Sequence, residues 1–89
     1  MRLSFPNPSR SFDATRSCVC FWGYDSTIEV TFFLEVNALK RLCPGMGGAE
    51  AGILNAFDAV RKRVYEVANK AYVGGSQGSY CYTLSANDF

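Results

Sequence analysis

The stretch AEAGILNAFDAVRKRVYEVANKAY, residues 49–72, decides the fold. Its apolar positions, Ile53, Ala56, Phe57, Val60, Val64, Val67, Ala68 and Ala71, recur at steps of three or four, the period of one helical face. Asn55, Lys62, Glu66, Asn69 and Lys70 fall opposite. Asp58–Lys62, Lys62–Glu66 and Glu66–Lys70 are opposite-charge pairs one helical turn apart, each worth ~0.3 kcal/mol on a helix. Glu50 suits the positive N-terminal end of a helix dipole and Lys70 the negative C-terminal end. Gly74-Gly75 stops the run, because glycine takes the left-handed cap conformation cheaply. The pattern predicts one long amphipathic helix from Ala49 to Tyr72, whose apolar stripe must pack on the rest of the chain.

Working back towards the N-terminus, the period changes from helical to alternating. Thr27 to Glu35 places Ile28, Val30, Phe32 and Leu34 on one face and Glu29, Thr31, Phe33 and Glu35 on the other, the pattern of a strand with one wet face. Ser17 to Gly23 puts Cys18, Cys20 and Trp22 opposite Val19 and Phe21, apolar on both sides as in a central strand. Tyr24-Asp25-Ser26 joins the two as a hairpin. Arg2 to Phe5 reads as a short edge strand ended by Pro6-Asn7-Pro8. Ser11-Phe12-Asp13 fits either a short extended piece or a turn. Asn37 caps a short helix over Ala38 to Leu42, with Leu39 and Leu42 inward, and Cys43 to Gly48 is a loop. Beyond the long helix, Gly74 to Gly78 connects to a last strand, Ser79 to Leu84, and Ser85 caps a final turn. The order, β-β-β-α-α-β, predicts an α+β fold: a small antiparallel sheet packed against one long and one short helix.

With 89 residues and no repeats, a single domain over 1–89 with one modest core is expected. The chain is 48% hydrophobic and 15% aromatic, which excludes disorder by composition. A net charge of +1 offers no electrostatic capture of nucleic acid or anionic membrane, and no apolar run reaches the ~18 residues of a bilayer span. MRLSFPNPSR lacks the apolar segment of a signal peptide, so a cytoplasmic location is expected. The chain has 0 histidines. That removes Ser-His-Asp and Cys-His nucleophilic sites, histidine-ligated zinc and haem, and the usual near-neutral acid-base group.

Phe5-Pro6-Asn7, Ser11-Phe12-Asp13, Val19-Cys20-Phe21, the Phe32 strand, Leu39, then Phe57, Val64, Ala68 and Tyr72, and finally Tyr82-Thr83-Leu84 and Asp88-Phe89 together resemble a small bacterial family, domain of unknown function 1488. The likeness spans essentially the whole chain and rests on core and turn positions. It implies a small α+β domain of bacterial origin and brings no activity, cofactor or catalytic residue with it.

The chemistry-bearing residues read as follows. Cys18-x-Cys20 puts two thiols on one strand face, with Cys43 and Cys81 distant, and this is not the C-x₂₋₄-C spacing of a Cys₄ zinc site. Thiols packed as small hydrophobes are the expectation, with disulfide and metal or redox roles as the alternatives. Gly45-Met46-Gly47-Gly48 precedes a helix but is followed by Glu50, whose carboxylate repels phosphate, so a plain connector is expected. Arg61, Lys62 and Arg63 point ~100° apart on a helix and do not make a phosphate-tracking patch. Asp13, Asp25, Glu29, Glu35, Asp58 and Glu66 read as solvated surface. No catalytic, cofactor-binding or metal-ligating residue is therefore assigned.

One edge of the long helix remains. Leu54, Asp58, Arg61, Tyr65 and Tyr72 border the main stripe and widen its apolar arc, and tyrosine and arginine are favoured at interfaces. This edge is the candidate interaction surface, with Trp22 and Phe33 raising the same question for the sheet. The expected function is a small non-enzymatic interaction module, a homodimer or a subunit bound to another protein, with neither nucleic acid nor membrane as partner. The alternative is a histidine-free ligand-binding or catalytic domain working through a thiol or carboxylate.

Overall fold

Alternating strand sequence and helical sequence segregate into two layers. The computed structural model describes residues 3–74 and 80–89. Strand β1 (Arg10–Asp13), β2 (Cys18–Asp25) and β3 (Ile28–Glu35) form an antiparallel meander. Helices α1 (Val36–Leu42), α2 (Glu50–Ala59) and α3 (Arg61–Gly74) follow, then strand β4 (Cys81–Leu84) and a 3₁₀ turn at Ala86–Asp88. The sheet order is β1-β2-β3-β4. β4 pairs with β3 in parallel, Phe32 opposite Tyr82 and Leu34 opposite Leu84. The expected antiparallel sheet thus closes on one parallel pair. The three helices between β3 and β4 form the crossover that a parallel neighbour requires.

The β2–β3 hairpin turns at Ser26-Thr27, with Asp25 opposite Ile28 and Ser26 at φ 60°. Its inner face carries Val19, Phe21, Val30, Phe32 and Leu34, all buried as the alternation predicts, whereas Ile28, expected on the same face, is 43% exposed at the hairpin end. Ile53 and Phe57 of α2, Val64, Val67 and Ala68 of α3, Ala38 and Leu39 of α1, Leu3 and Leu84 complete the same core. Phe21 sits at its centre, 5.2 Å from the Phe32 ring and 5.3 Å from that of Phe57. Ser85 starts the last turn as expected, its backbone N–H donating to the Asp88 carboxylate at 2.8 Å.

Four sequence expectations are corrected. The stretch from Ala49 to Tyr72 is not one helix: it breaks at Val60, which has φ −115° and donates to the carbonyls of both Ala56 and Phe57. A straight helix of that length spans ~36 Å, whereas an eight-residue strand spans only ~26 Å. The break lets α2 lie over β1 while α3 reaches β4. Second, the piece from Leu3 to Phe5 makes only a single bridge, Ser4 with Tyr24, because Pro6 and Pro8 lack the donors that a longer ladder needs. Third, the first true strand is Arg10–Asp13. Fourth, α1 starts two residues early, with Glu35 and not Asn37 at its N-cap. Arg2 of the expected first strand, and Gly75 to Ser79 of the expected connection and last strand, lie outside the described residues. Among the described residues no helix is long and apolar enough to cross a membrane.

Candidate functional site

Two surfaces gather the residues singled out above: the edge of α2 and α3, and the sheet face that carries no helices.

On the helix edge, Asp58 near the end of α2 and Arg61 at the start of α3 are three residues apart, and their side chains pair across the break at Val60. Arg10 reaches across from β1 and grips Asp58 with two of its nitrogens, Nε to Oδ1 at 3.0 Å and Nη2 to Oδ2 at 2.9 Å. Arg61 donates to the Pro8 carbonyl at 2.9 Å and to the Tyr65 hydroxyl at 2.7 Å. Its guanidinium lies 4.9 Å from the Phe57 ring centre. Tyr65 in turn stacks on Phe5 at 3.9 Å, with the ring planes 6° apart. Leu3 N–H donates to Asn69 at 3.0 Å. Tyr72 donates to the Asp25 carboxylate at 2.7 Å, and Leu54 is half-buried against the core. The five residues of the candidate surface therefore line one edge, and four of them already hold other parts of the chain. They strap residues 5–10 over α2 and α3 and tie α3 to the β2–β3 turn. Their partners, Phe5, Pro8 and Arg10, were not foreseen. The only sequence signal for them was the Pro-rich extended run that had to lie on something.

The electrostatics of this strap are directional. The hydrogen bond from Arg10 holds the Asp58 carboxyl below its ordinary value of 3.8, against the opposing effect of partial burial, and Arg61 adds to the lowering. A carboxyl lowered in the folded state stabilises it above the unfolded value and ceases to do so as pH falls through the folded value. Asp58→Asn should therefore be less stable than the parent at neutral pH, and the gap should close in acid. Asp58 is 40% exposed, so the expected gap is only ~0.5–1 kcal/mol. Urea unfolding of both proteins across the acid range measures it; a gap independent of pH would sink the assignment.

The second surface is the outer sheet face. Alternation sends Cys18, Cys20, Trp22 and Tyr24 of β2 there, with Ser11 and Asp13 of β1, Thr31 and Phe33 of β3, and Cys81 and Thr83 of β4. Cross-strand rows run Asp13–Cys18–Glu35, Ser11–Cys20–Phe33–Thr83 and Trp22–Thr31–Cys81. Cys20, Trp22 and Phe33 are half-buried, and the Arg16 guanidinium sits 4.8 Å from the Phe33 ring centre. Arg16 also lies 3.8 Å from Asp13, whose other oxygen accepts the Arg16 backbone N–H at 3.2 Å. At the far end Tyr24 donates to Glu29 at 3.0 Å. Burial pushes the Cys18 thiol up to about 11, with the neighbouring Cys20 adding to the rise, and burial likewise raises Cys20. These thiols stay protonated near neutral pH and are not poised as nucleophiles. Cys43 is elsewhere, its sulfur 4.0 Å from the Ala56 carbonyl.

The remaining features resolve simply. Glu50 stands in the first turn of α2, which has no side-chain cap. A side chain at Gly52 would come within 3.3 Å of the Gly47 backbone, so glycine there lets the loop close on α2. Lys62 and Arg63 point to solvent while Arg61 folds back, so the basic triplet splits as predicted. An open depression of about 340 Å³ is lined by Arg16, Ser17, Glu35, Val36, Asn37 and Lys40, and an apolar one of about 350 Å³ by Phe5, Arg61, Lys62, Tyr65 and Glu66.

Comparison with known proteins places this arrangement. No curated protein matches the sequence. A solved structure, the crystal structure of a protein of unknown function from the DUF1488 family of Shewanella loihica PV-4, has the same fold. It superposes with a TM-score of 0.73 at 17% identity, covering 90% of each chain. The family model described as "Protein of unknown function (DUF1488)" matches residues 3–84. The chain, matched over nearly all its length from Leu3 in the strap to Leu84 in the core, belongs to the DUF1488 family.

Proposed function

We propose that the protein is a small non-enzymatic interaction module that self-associates as a homodimer through its outer sheet face. The observation that carries this reading is the row of half-buried Cys20, Trp22 and Phe33 on a face that no helix covers among the described residues. The helix edge is a weaker contender, because Asp58, Arg61, Tyr65 and Tyr72 are spent on internal bonds.

A second copy fits the charge pattern. Arg16 stands at one end of the face and Glu29 at the other. A two-fold axis midway between the two sheets, parallel to them and perpendicular to the strands, reverses them and brings Arg16 of each copy over Glu29 of its partner. Sheets stacked in this way lie ~10 Å apart. Two eight-residue and two four-residue strands present roughly 400 Å² of face. A standard stable interface covers about 800 Å² per partner, so the dimer should be a micromolar one. A bacterial setting suits this reading, since the similar solved structure comes from Shewanella loihica PV-4.

Trp22 is the only tryptophan, so its emission reports this face directly. Between low and high micromolar concentration the light-scattering mass should double and the emission shift to the blue. Trp22→Glu should stay monomeric with its far-ultraviolet circular dichroism unchanged. A strict monomer at high micromolar concentration would overturn self-association.

A further inference from the structure

The β1–β2 ladder assembles a cluster that no sequence spacing announces. A carboxylate oxygen of Asp13 and the sulfurs of Cys18 and Cys20 all lie within 4.8 Å of one another. Asp13 stands opposite Cys18, and Cys20 follows two residues along on the same face. The three come from two paired strands, so their backbones are held and only side-chain rotation is free.

The donor set selects an ion. Two thiolates and a carboxylate suit zinc, whereas magnesium and calcium take oxygen ligands alone. Zinc–sulfur bonds of ~2.3 Å and zinc–oxygen bonds of ~2.0–2.2 Å set tetrahedral donors roughly 3.4–3.8 Å apart. Closing the observed set to that spacing needs side-chain shifts of only about 1 Å. Charge is also compensated. A divalent ion with two thiolates and one carboxylate carries one net negative charge, and Arg16, 3.8 Å from Asp13, supplies a positive one. Arg16 is steadied by its contact with Phe33 and stands beside the cluster as a neighbour to the ligands. Three protein donors leave the fourth position of a tetrahedral zinc site to water.

We propose that the chain binds one zinc ion through the Asp13 carboxylate and the thiolates of Cys18 and Cys20. Both thiol protons leave to solvent as the two zinc–sulfur bonds form. The C-x-C spacing is short for a loop-borne site, but on a strand it brings both sulfurs to one face, and the neighbouring strand supplies the third donor.

Cobalt(II) is the probe, added to the reduced full chain. One equivalent should produce a thiolate-to-cobalt charge-transfer band in the near ultraviolet that zinc abolishes by competition. Cys20→Ser should lose the band while keeping its far-ultraviolet circular dichroism, and Cys43→Ser should keep the band. Asp13→Asn, nearly the same shape, should weaken zinc binding at least about tenfold in competition with a chromophoric chelator. Absence of the band in the parent protein would overturn the proposal. So would an undiminished band in Cys20→Ser, or unchanged zinc affinity in Asp13→Asn.

Discussion

Replacing Phe32 by alanine should remove most of the stability of the fold. Phe32 is 0% exposed at the middle of the central strand β3. Its ring stacks on Phe21 at 5.2 Å and on Tyr82 at 5.7 Å and lies 6.4 Å from Phe5, so it joins three strands and the N-terminal strap. Truncating such a phenylalanine costs ~3–5 kcal/mol through lost transfer energy and the cavity left behind. A domain of this size has only ~4–13 kcal/mol to lose. The urea midpoint should therefore fall by roughly 2 M, taking a slope of ~1–3 kcal/mol per molar. Phe33, one residue on, supplies the control. It points to the opposite face and is half-buried beneath Arg16, so Phe33→Ala should cost no more than ~1–1.5 kcal/mol. Equal losses for the two variants would mean that the assignment of sheet faces is wrong.

Gly23→Ala should be the second most damaging single change relative to its size. A Cβ on Gly23 would lie 2.7 Å from Cε1 of Phe5 and 3.2 Å from its Cδ1 and Cζ. The ring cannot simply lift away, because Tyr65 stacks against it at 3.9 Å. Overpacking of this kind costs ~1–3 kcal/mol, which outweighs the ~0.5–1 kcal/mol that alanine normally gains over glycine in a strand. The cost should depend on Phe5. In Phe5→Leu the smaller side chain leaves room, and adding Gly23→Ala should then cost at least ~0.5 kcal/mol less than in the parent. Thermal or urea unfolding of the four proteins completes the cycle. Strictly additive losses would show that Gly23 does not owe its place to the Phe5 ring.

These two changes bracket what could be read in advance. Phe32 was assigned to the core by strand alternation, since a period of two leaves only one choice of face once Val30 and Leu34 are placed beside it. Gly23 was read only as the end of a strand. Its role depends on Phe5, eighteen positions earlier in the chain, coming to rest over it, and no local pattern carries that information. The helical stretch shows the same division. Its apolar stripe was correctly found, and Ile53, Phe57, Val64, Val67 and Ala68 are buried as the period of 3.6 predicts. The break at Val60 was not found, because valine interrupts neither the period nor the helix propensity strongly. It is imposed by the span of the sheet beneath.

The candidate edge divides likewise. Tyrosine and arginine at helical spacing marked Leu54, Asp58, Arg61, Tyr65 and Tyr72 as one strip. That Arg10, Pro8 and Phe5 would lie across it is a long-range outcome, since these contacts join residues about fifty positions apart. The thiols were readable as a pair on one face. Their closeness to Asp13 follows only from the register of β1 on β2, which the Ala14–Ser17 connection sets, with Ser17 at φ 51°.

The sequence by itself determined the two layers, the hairpin and the apolar face of every long element, because periods of two and 3.6 are local properties that side-chain burial must obey. Only the tertiary structure decided where the helix from Ala49 to Tyr72 breaks, that β4 returns parallel to β3, and which polar side chains meet. Those outcomes depend on the lengths of elements fitted against one another and on strand register, and neither is written in any single stretch of the chain.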